Sequence, residues 1–164
     1  MPAYMRLWEG ASSSVPFTAL NADAVYLLKV KLSNKRLYDT PYKRDVITNV
    51  IATNSSHVGA RPAPNLAFVE WKDVSNVFIT RMDCWITVKM ERASTLSAWW
   101  QAIGMIFANT GNPSCDLELW AVAPGQTPDP TPTDPRKPST SEVAGAGLGV
   151  LVIGLVLAVV LFNR

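Results

Sequence analysis

Met82-Asp-Cys-Trp-Ile-Thr-Val-Lys-Met90, continued by Glu91, keeps one rhythm for ten residues. Met82, Cys84, Ile86, Val88 and Met90 are apolar, and Asp83, Trp85, Thr87, Lys89 and Glu91 fill the opposite phase. A repeat of two is the side-chain repeat of a pleated strand, and this pattern reads as a half-buried antiparallel strand. Two further segments share it. Cys115, Leu117, Leu119 and Ala121 alternate with Asp116, Glu118, Trp120 and Val122, and Tyr26, Leu28, Val30 and Leu32 alternate about Lys29 and Lys31. Residues 46–53, 66–71 and 74–80 are weaker strand candidates, rich in β-branched and aromatic side chains.

Turn signals separate these runs: Ser33-Asn34, Asp39-Thr-Pro41, Asn54-Ser-Ser56, the stretch between Gly59 and Pro64, and Asn112-Pro113. Six or more short strands so spaced predict a mainly β fold, a β-sandwich or jelly-roll-like barrel. One segment departs from period two. In residues 95–108, Leu96, Trp99, Trp100, Ile103, Ile106 and Phe107 fall at helical spacing. Ser94 or Thr95 can cap the start, and Gly111 with Pro113 can end the region. The expectation is one short helix over a sheet edge or end. A seat for Trp99 and Trp100 at a membrane interface is the alternative.

The pattern also orders substitutions. Ile86→Asp buries a charge in the apolar phase, whereas Thr87→Asp, one residue on, is expected to cost little unless something covers that face.

Residues 143–162, opening on Val143 and closing on Phe162, form a run with no charged side chain. Twenty helical residues reach about 30 Å, the thickness of a bilayer's hydrocarbon core. A single C-terminal transmembrane helix is therefore expected. Gly145 and Gly149 make a small-xxx-small pair, and Gly147, Gly154 and Ala158 gather on nearly the opposite face, where close helix approach would allow self-association in lipid. The N-terminal residues lack a basic segment followed by an apolar stretch, so the expected topology is tail-anchored, with the lipid bilayer as first partner. Arg136 and Lys137 before the run, against Arg164 after it, agree with that orientation.

Between the strands and the anchor lies Pro124-Gly-Gln-Thr-Pro-Asp-Pro-Thr-Pro-Thr-Asp-Pro-Arg-Lys-Pro138, with six prolines in fifteen residues. Proline lacks an amide hydrogen and fixes φ, so this segment suits an extended, polyproline-like stalk; a ligand for an SH3-type module is the sharper alternative. The domain plan is thus residues 1–20 as an N-terminal arm, 21–123 as a β-rich globular domain, 124–141 as a Pro-rich stalk and 142–164 as the anchor.

Composition narrows the chemistry. Charged residues make up 17% of the 164, and the net charge is +2. No basic face is concentrated enough for nucleic acid. The densest cluster, Lys35-Arg36 with Lys43-Arg44, is diluted by Asp39 and Asp45 and reads as a solvated loop, with phosphate or anionic lipid as the alternative. His57 is the only histidine and no nucleophile motif accompanies it. Two cysteines, Cys84 and Cys115, and one histidine make no zinc pattern, and no Gly-rich phosphate loop or dinucleotide fingerprint is present. Asp116 and Glu118 alone would make a weak cation site. No catalytic, cofactor or metal residue is assigned. The two thiols fall on the apolar phase and read as buried free cysteines, with a disulfide as the alternative.

Tryptophan is the more informative excess. Of six, Trp85 and Trp120 occupy the outward phase of the two best strands. Large aromatics on an outward face are favoured where a partner packs, so both are candidate partner contacts. Cover by the helix of 95–108, or by the N-terminal arm with Trp8 and Phe17, is the intramolecular alternative. The functional expectation is a non-enzymatic, membrane-anchored structural or adaptor protein whose β domain docks onto other subunits of a large assembly. One such setting is the minor capsid or membrane protein of a membrane-containing virion. The alternatives are an accessory subunit of a cellular membrane complex, and a tail-anchored enzyme or receptor.

Overall fold

The alternating segment is a strand, and the rest of the domain is arranged around it. The computed structural model describes residues 4–122. In chain order these form β1 (Tyr4–Ala11), β2 (Ala19–Leu20), β3 (Val25–Leu32), α1 (Pro41–Ser56), β4 (Ala60–Pro62), β5 (Val69–Asp73), β6 (Met82–Met90), β7 (Ser94–Thr95), α2 (Leu96–Asn109) and β8 (Asp116–Val122). The stalk, and the anchor residues Val143, Gly145, Gly149, Gly154, Ala158 and Phe162, lie outside the described residues. Among the described residues no helix is long and apolar enough to cross a membrane.

The fold is mainly β and all its strand pairs are antiparallel. The large sheet runs β1-β8-β3-β6, and β4 and β5 share the outer edge of β6. β2 and β7 make a separate two-stranded ladder. The register sets two faces. Leu28 pairs with Ile86 and Leu119, and Val30 with Cys84 and Leu117. That face carries the main core, closed by Ile47 and Ile51 of α1 and by Leu96, Trp99, Ile103 and Phe107 of α2. Burying each such side chain contributes about 1.5–3 kcal/mol, so this layer dominates the domain's stability.

The helix at 95–108 is found, with Thr95 as N-cap accepting from the Ala98 amide at 3.1 Å. It lies against the sheet's core face rather than at an edge, because Leu96, Trp99, Ile103 and Phe107 make a buried i, i+3, i+4 stripe. Trp99 is fully buried, and Trp100 stacks on Phe107 with ring centres 5.7 Å apart.

A second helix replaces an expected strand. Residues 46–53 belong to α1, so the domain has two helices rather than one. Asp39-Thr-Pro41 is the start of that helix: the Thr40 side chain accepts from the Lys43 amide at 3.3 Å, and Pro41 fills the first turn, where no amide hydrogen is needed. Ile47, Ile51 and Ser55, four residues apart, form the buried stripe. Trp99 Nε1 donates to Ser55 Oγ at 3.0 Å, and Asn54 Nδ2 donates to the Ala102 carbonyl at 3.0 Å. These bonds tie α1 to α2 and outweigh the local strand preference of its β-branched residues.

Other differences are local. β5 starts at Val69, later than the expected 66, and residues 74–80 are a hairpin tip rather than a strand. The segment read as an N-terminal arm contributes β1, an edge strand on β8. A register shift between Arg6 and Trp8 inverts its phase midway, so no simple alternation marks it in the sequence. Asn54, Ser55 and Ser56 form the last turn of α1 rather than a loop, and the following His57 caps it.

Gly111 closes α2 with φ +87°, and a Cβ there would come within 2.5 Å of Asn34 Nδ2. Gly111→Ala is expected to lower stability by more than about 1 kcal/mol, read as a drop in the urea midpoint. An unchanged midpoint would show that the Asn34 loop gives way freely.

Candidate functional site

The sheet has a second face, turned away from the helices, and the candidate partner residues sit on it. Leu27 pairs with Trp120 and Thr87, and Lys29 pairs with Trp85 and Glu118. Tyr4, Leu27, Trp85 and Trp120 form a second apolar cluster with Val122 packed against it. Trp85 is 1% exposed and Trp120 5% exposed. The structure thus brings both tryptophans together on one face. α2 packs on the other face and does not cover them. Of the N-terminal segment, Tyr4 joins their cluster, Trp8 packs against the helix-side core, and Phe17 is exposed.

Charge is interleaved with the rings. Lys29 Nζ lies 3.3 Å from Asp83 Oδ2, with both side chains almost wholly buried. Arg81 Nε approaches the other Asp83 oxygen at 3.1 Å. Lys31 bridges Glu118 at 2.7 Å and Glu9 at 3.4 Å, which offsets the repulsion of two glutamates placed opposite each other in the β1–β8 pair. The Lys29 and Lys72 ammonium groups stand 4.9 and 4.7 Å from the Trp85 ring centre, and the Arg6 guanidinium stands 5.7 Å from that of Trp120. Trp120 Nε1 donates to Glu118 Oε2 at 3.2 Å. Trp85 Nε1 is buried and finds no acceptor among the described residues.

The alternation in β6 therefore does not separate core from solvent. Asp83, Trp85 and Thr87 are as buried as the apolar phase. Glu118 is held by Lys31 and Trp120, so it is not half of a cation site with exposed Asp116. Among the described residues no group of three His, Cys, Asp or Glu side chains is placed to hold a metal.

The thiols and the histidine have structural surroundings. Cys84 and Cys115 are both free and buried. Burial pushes the Cys84 thiol well above its usual pKa, with the Asp83 carboxylate adding to the effect, and burial also raises that of Cys115. Burial thus disfavours the reactive thiolate form at both positions. The His57 carbonyl accepts a short hydrogen bond from Arg92, which pins the α1 terminus.

Among the described residues the most exposed apolar side chains occur where no site was expected. Between β5 and β6, Val77 is 92% and Phe78 94% exposed, and Ile79 is also in solvent. This tip is built by hydrogen bonds. The amides of Phe78 and Ile79 both donate to Asn76 Oδ1, at 2.8 and 2.9 Å, and the Asn76 amide donates to the Ile79 carbonyl at 2.7 Å. Ser75 binds both the amide and the carbonyl of Arg81 through its hydroxyl. At the base, Asp73 accepts from Lys35 at 2.6 Å; that bond holds the Asp73 carboxyl well below the usual carboxylate range. The run of Val, Phe and Ile resembled a strand in the sequence, and Ser75-Asn76, which side-chain turns favour, was the contrary signal.

Near this tip runs a shallow apolar groove of about 260 Å³ lined by Leu37, Tyr42, Lys43, Val46, Ile47 and Thr110. Lys35, next to Arg36 and Leu37, joins the two features through Asp73. Tip and groove share the end of the sheet where β3 ends and β8 begins, because Leu32 pairs with Met82 and Lys31 with Asp116. The chain leaves β8 at the opposite end, where Val122 pairs with Tyr4. No protein-family model matches this chain, and neither curated proteins nor solved structures yield a match.

Proposed function

We propose that this is a non-enzymatic docking protein, fastened to a membrane by residues 143–162 and engaging a protein partner through the tip between β5 and β6. The observation that carries the docking reading is the hydrogen-bonded tip with Val77 and Phe78 in solvent. A flexible loop would shed such exposure by collapsing onto the domain. Here Asn76 and Ser75 hold the backbone so that the side chains point outward, at the ordering cost a binding element otherwise meets on association. Exposed aromatic and aliphatic anchors on a rigid support are typical centres of protein contacts.

The anchor reading stands on the length and apolarity of residues 143–162. Carbonate extraction of the full chain, against a version ending at Ser141, tests it. Recovery of the full chain in the soluble fraction removes the membrane from the proposal. Helix pairing in lipid through Gly145 and Gly149, or through Gly154 and Ala158, is a part of the same proposal.

Docking is tested at the tip in the full chain. A photo-reactive amino acid at position 78 is expected to give a discrete protein adduct in its native membrane, and the same group at exposed Asn49 is not. Phe78→Asp is expected to weaken association on the order of tenfold or more, while moving the unfolding midpoint little, because the lost side chain was in solvent. Lipid adducts alone at position 78, or normal assembly of Phe78→Asp, would overturn the docking reading.

A further inference from the structure

Two apolar features at one end of the sheet stand open to solvent, and one is a knob while the other is a hole. The knob is the tip, with Val77 and Phe78 almost wholly exposed. The hole is the groove lined by Leu37, Tyr42, Lys43, Val46, Ile47 and Thr110. It continues along α1, because Tyr42, Val46 and Val50, four residues apart, make a second apolar stripe beside the buried one of Ile47 and Ile51. Tyr42 is 78% exposed. Ser75 and Asn76 hold the tip out in solvent, so it does not fill the groove of its own copy. We infer that the partner of the tip is a second copy of this chain: each copy seats Phe78 in the other's groove. The inference rests on the tip being a docking element, as proposed above, and names what it docks on.

Size and chemistry correspond. An apolar cavity of about 150 Å³ holds a benzene ring. The groove, at about 260 Å³, admits the Phe78 ring with a neighbouring aliphatic side chain at its mouth. Leu37, Val46 and Ile47 offer alkyl groups, Lys43 its methylene stem, and Tyr42 a ring that can meet Phe78 edge to face. Phe78 and Tyr42 alone expose roughly 300–400 Å² per copy. A standard interface buries about 800 Å² per partner. Val77, Ile79, Leu37, Val46 and Val50, all exposed, bring a reciprocal pair of contacts toward that size.

Placement favours a closed pair. Knob and hole on opposite ends of a molecule would propagate a filament, whereas on one end a two-fold axis between them satisfies both at once. Here the Lys35–Asp73 ion pair, at 2.6 Å, spans the gap: Asp73 is the base of the tip, and Lys35 precedes Leu37 of the groove. The axis would therefore pass near this pair. A cation beside an anion is self-complementary across a two-fold, since Lys35 of one copy can face Asp73 of the other and the reverse. Charge thus favours the same orientation that the apolar contacts require.

The test mixes two full-length variants in detergent micelles, one carrying Phe78→Cys and the other Val46→Cys, and joins them with a short bis-maleimide. Buried Cys84 and Cys115 are poor competitors for the reagent. The mixture is expected to give a covalent pair well above the yield of either variant alone, because positions 78 and 46 meet across the axis while like positions stand apart. Adding Tyr42→Asp to the Val46→Cys copy is expected to lower that yield by about tenfold, with the urea midpoint unchanged because the Tyr42 side chain is in solvent. Equal yields from the mixture and the single variants, or a yield indifferent to Tyr42→Asp, would overturn the inference; copies paired only through residues 143–162 would behave in that way. If the mixture gives no pair while the photo-reactive group at position 78 captures a different protein, the second copy is excluded and the docking reading stands. If neither a pair nor a protein adduct forms, both fall.

Discussion

Ile86→Asp abolishes the cooperative fold. Ile86 is fully buried among Leu28, Val69 and the α2 stripe, in the middle of an interior strand with partners on both sides. A carboxylate there has no cation on its own face, so it is either buried charged or protonated at a cost of several kcal/mol, comparable to the whole stability of a domain this size. Circular dichroism of the full chain in micelles, followed through urea, reads the loss. Thr87→Asp sharpens the test. The sequence alone expects tolerance at that position, but Thr87 is 1% exposed, opposite Leu27, so we expect a cost of about 2 kcal/mol or more. If Thr87→Asp unfolds at the wild-type urea concentration, this face is open to water in solution and the two-sided burial of β6 fails.

That contrast shows what was legible. β3, β6, β8 and α2 announce themselves because each keeps one period without interruption, and packing on the helix side then follows from the apolar phase. α1 did not, for a physical reason. Val46, Ile47, Thr48, Val50, Ile51 and Thr53 each favour a strand locally, and the buried stripe is only Ile47, Ile51 and Ser55. Ser55 counts as a core residue only because Trp99, distant in sequence, donates to it. The start signal was present in Thr40-Pro41, but a Thr-Pro pair opens a turn as readily as a helix. β1 was hidden by its bulge, which cancels the period that reveals a strand.

The candidate site divides in the same way. The outward phase of Trp85 and Trp120 was readable, and the structure puts both in one cluster on the same face, with β3 between their strands. Their burial was not readable, because it depends on which strands become neighbours: β3 between β6 and β8 is what sets Lys29 beside both Trp85 and Glu118. The tip at Val77 and Phe78 was masked by its own apolarity. Its exposure is enforced by one side chain, Asn76, taking two amides at once, a tertiary detail with no periodic signature.

Removing the Lys29 charge alone is the second large effect. Lys29→Met leaves Asp83, almost wholly buried, with the partly exposed Arg81 guanidinium as its remaining ion-pair contact and Lys72 opposite it across the β5–β6 pair. Breaking a buried pair from one side typically costs about 3–5 kcal/mol, because the remaining charge keeps its desolvation penalty and loses its counter-charge. Replacing both partners removes both penalties. Lys29→Met with Asp83→Leu is therefore expected to recover most of the lost stability, and the two single changes are strongly non-additive. Arg81 sits at the strand's end and can turn its guanidinium to water in the double variant. Urea midpoints of the four proteins, measured in the same micelles, give the coupling directly. The sign of the double variant carries the meaning. If it matches or exceeds wild type, the ion pair stabilises nothing net, and its role is to fix which strands pair, since Lys29 and Asp83 can satisfy each other only when β3 and β6 are in register. If it is as unstable as the singles, the cations above Trp85 contribute through the ring and its surroundings, and the pair is not a self-contained unit.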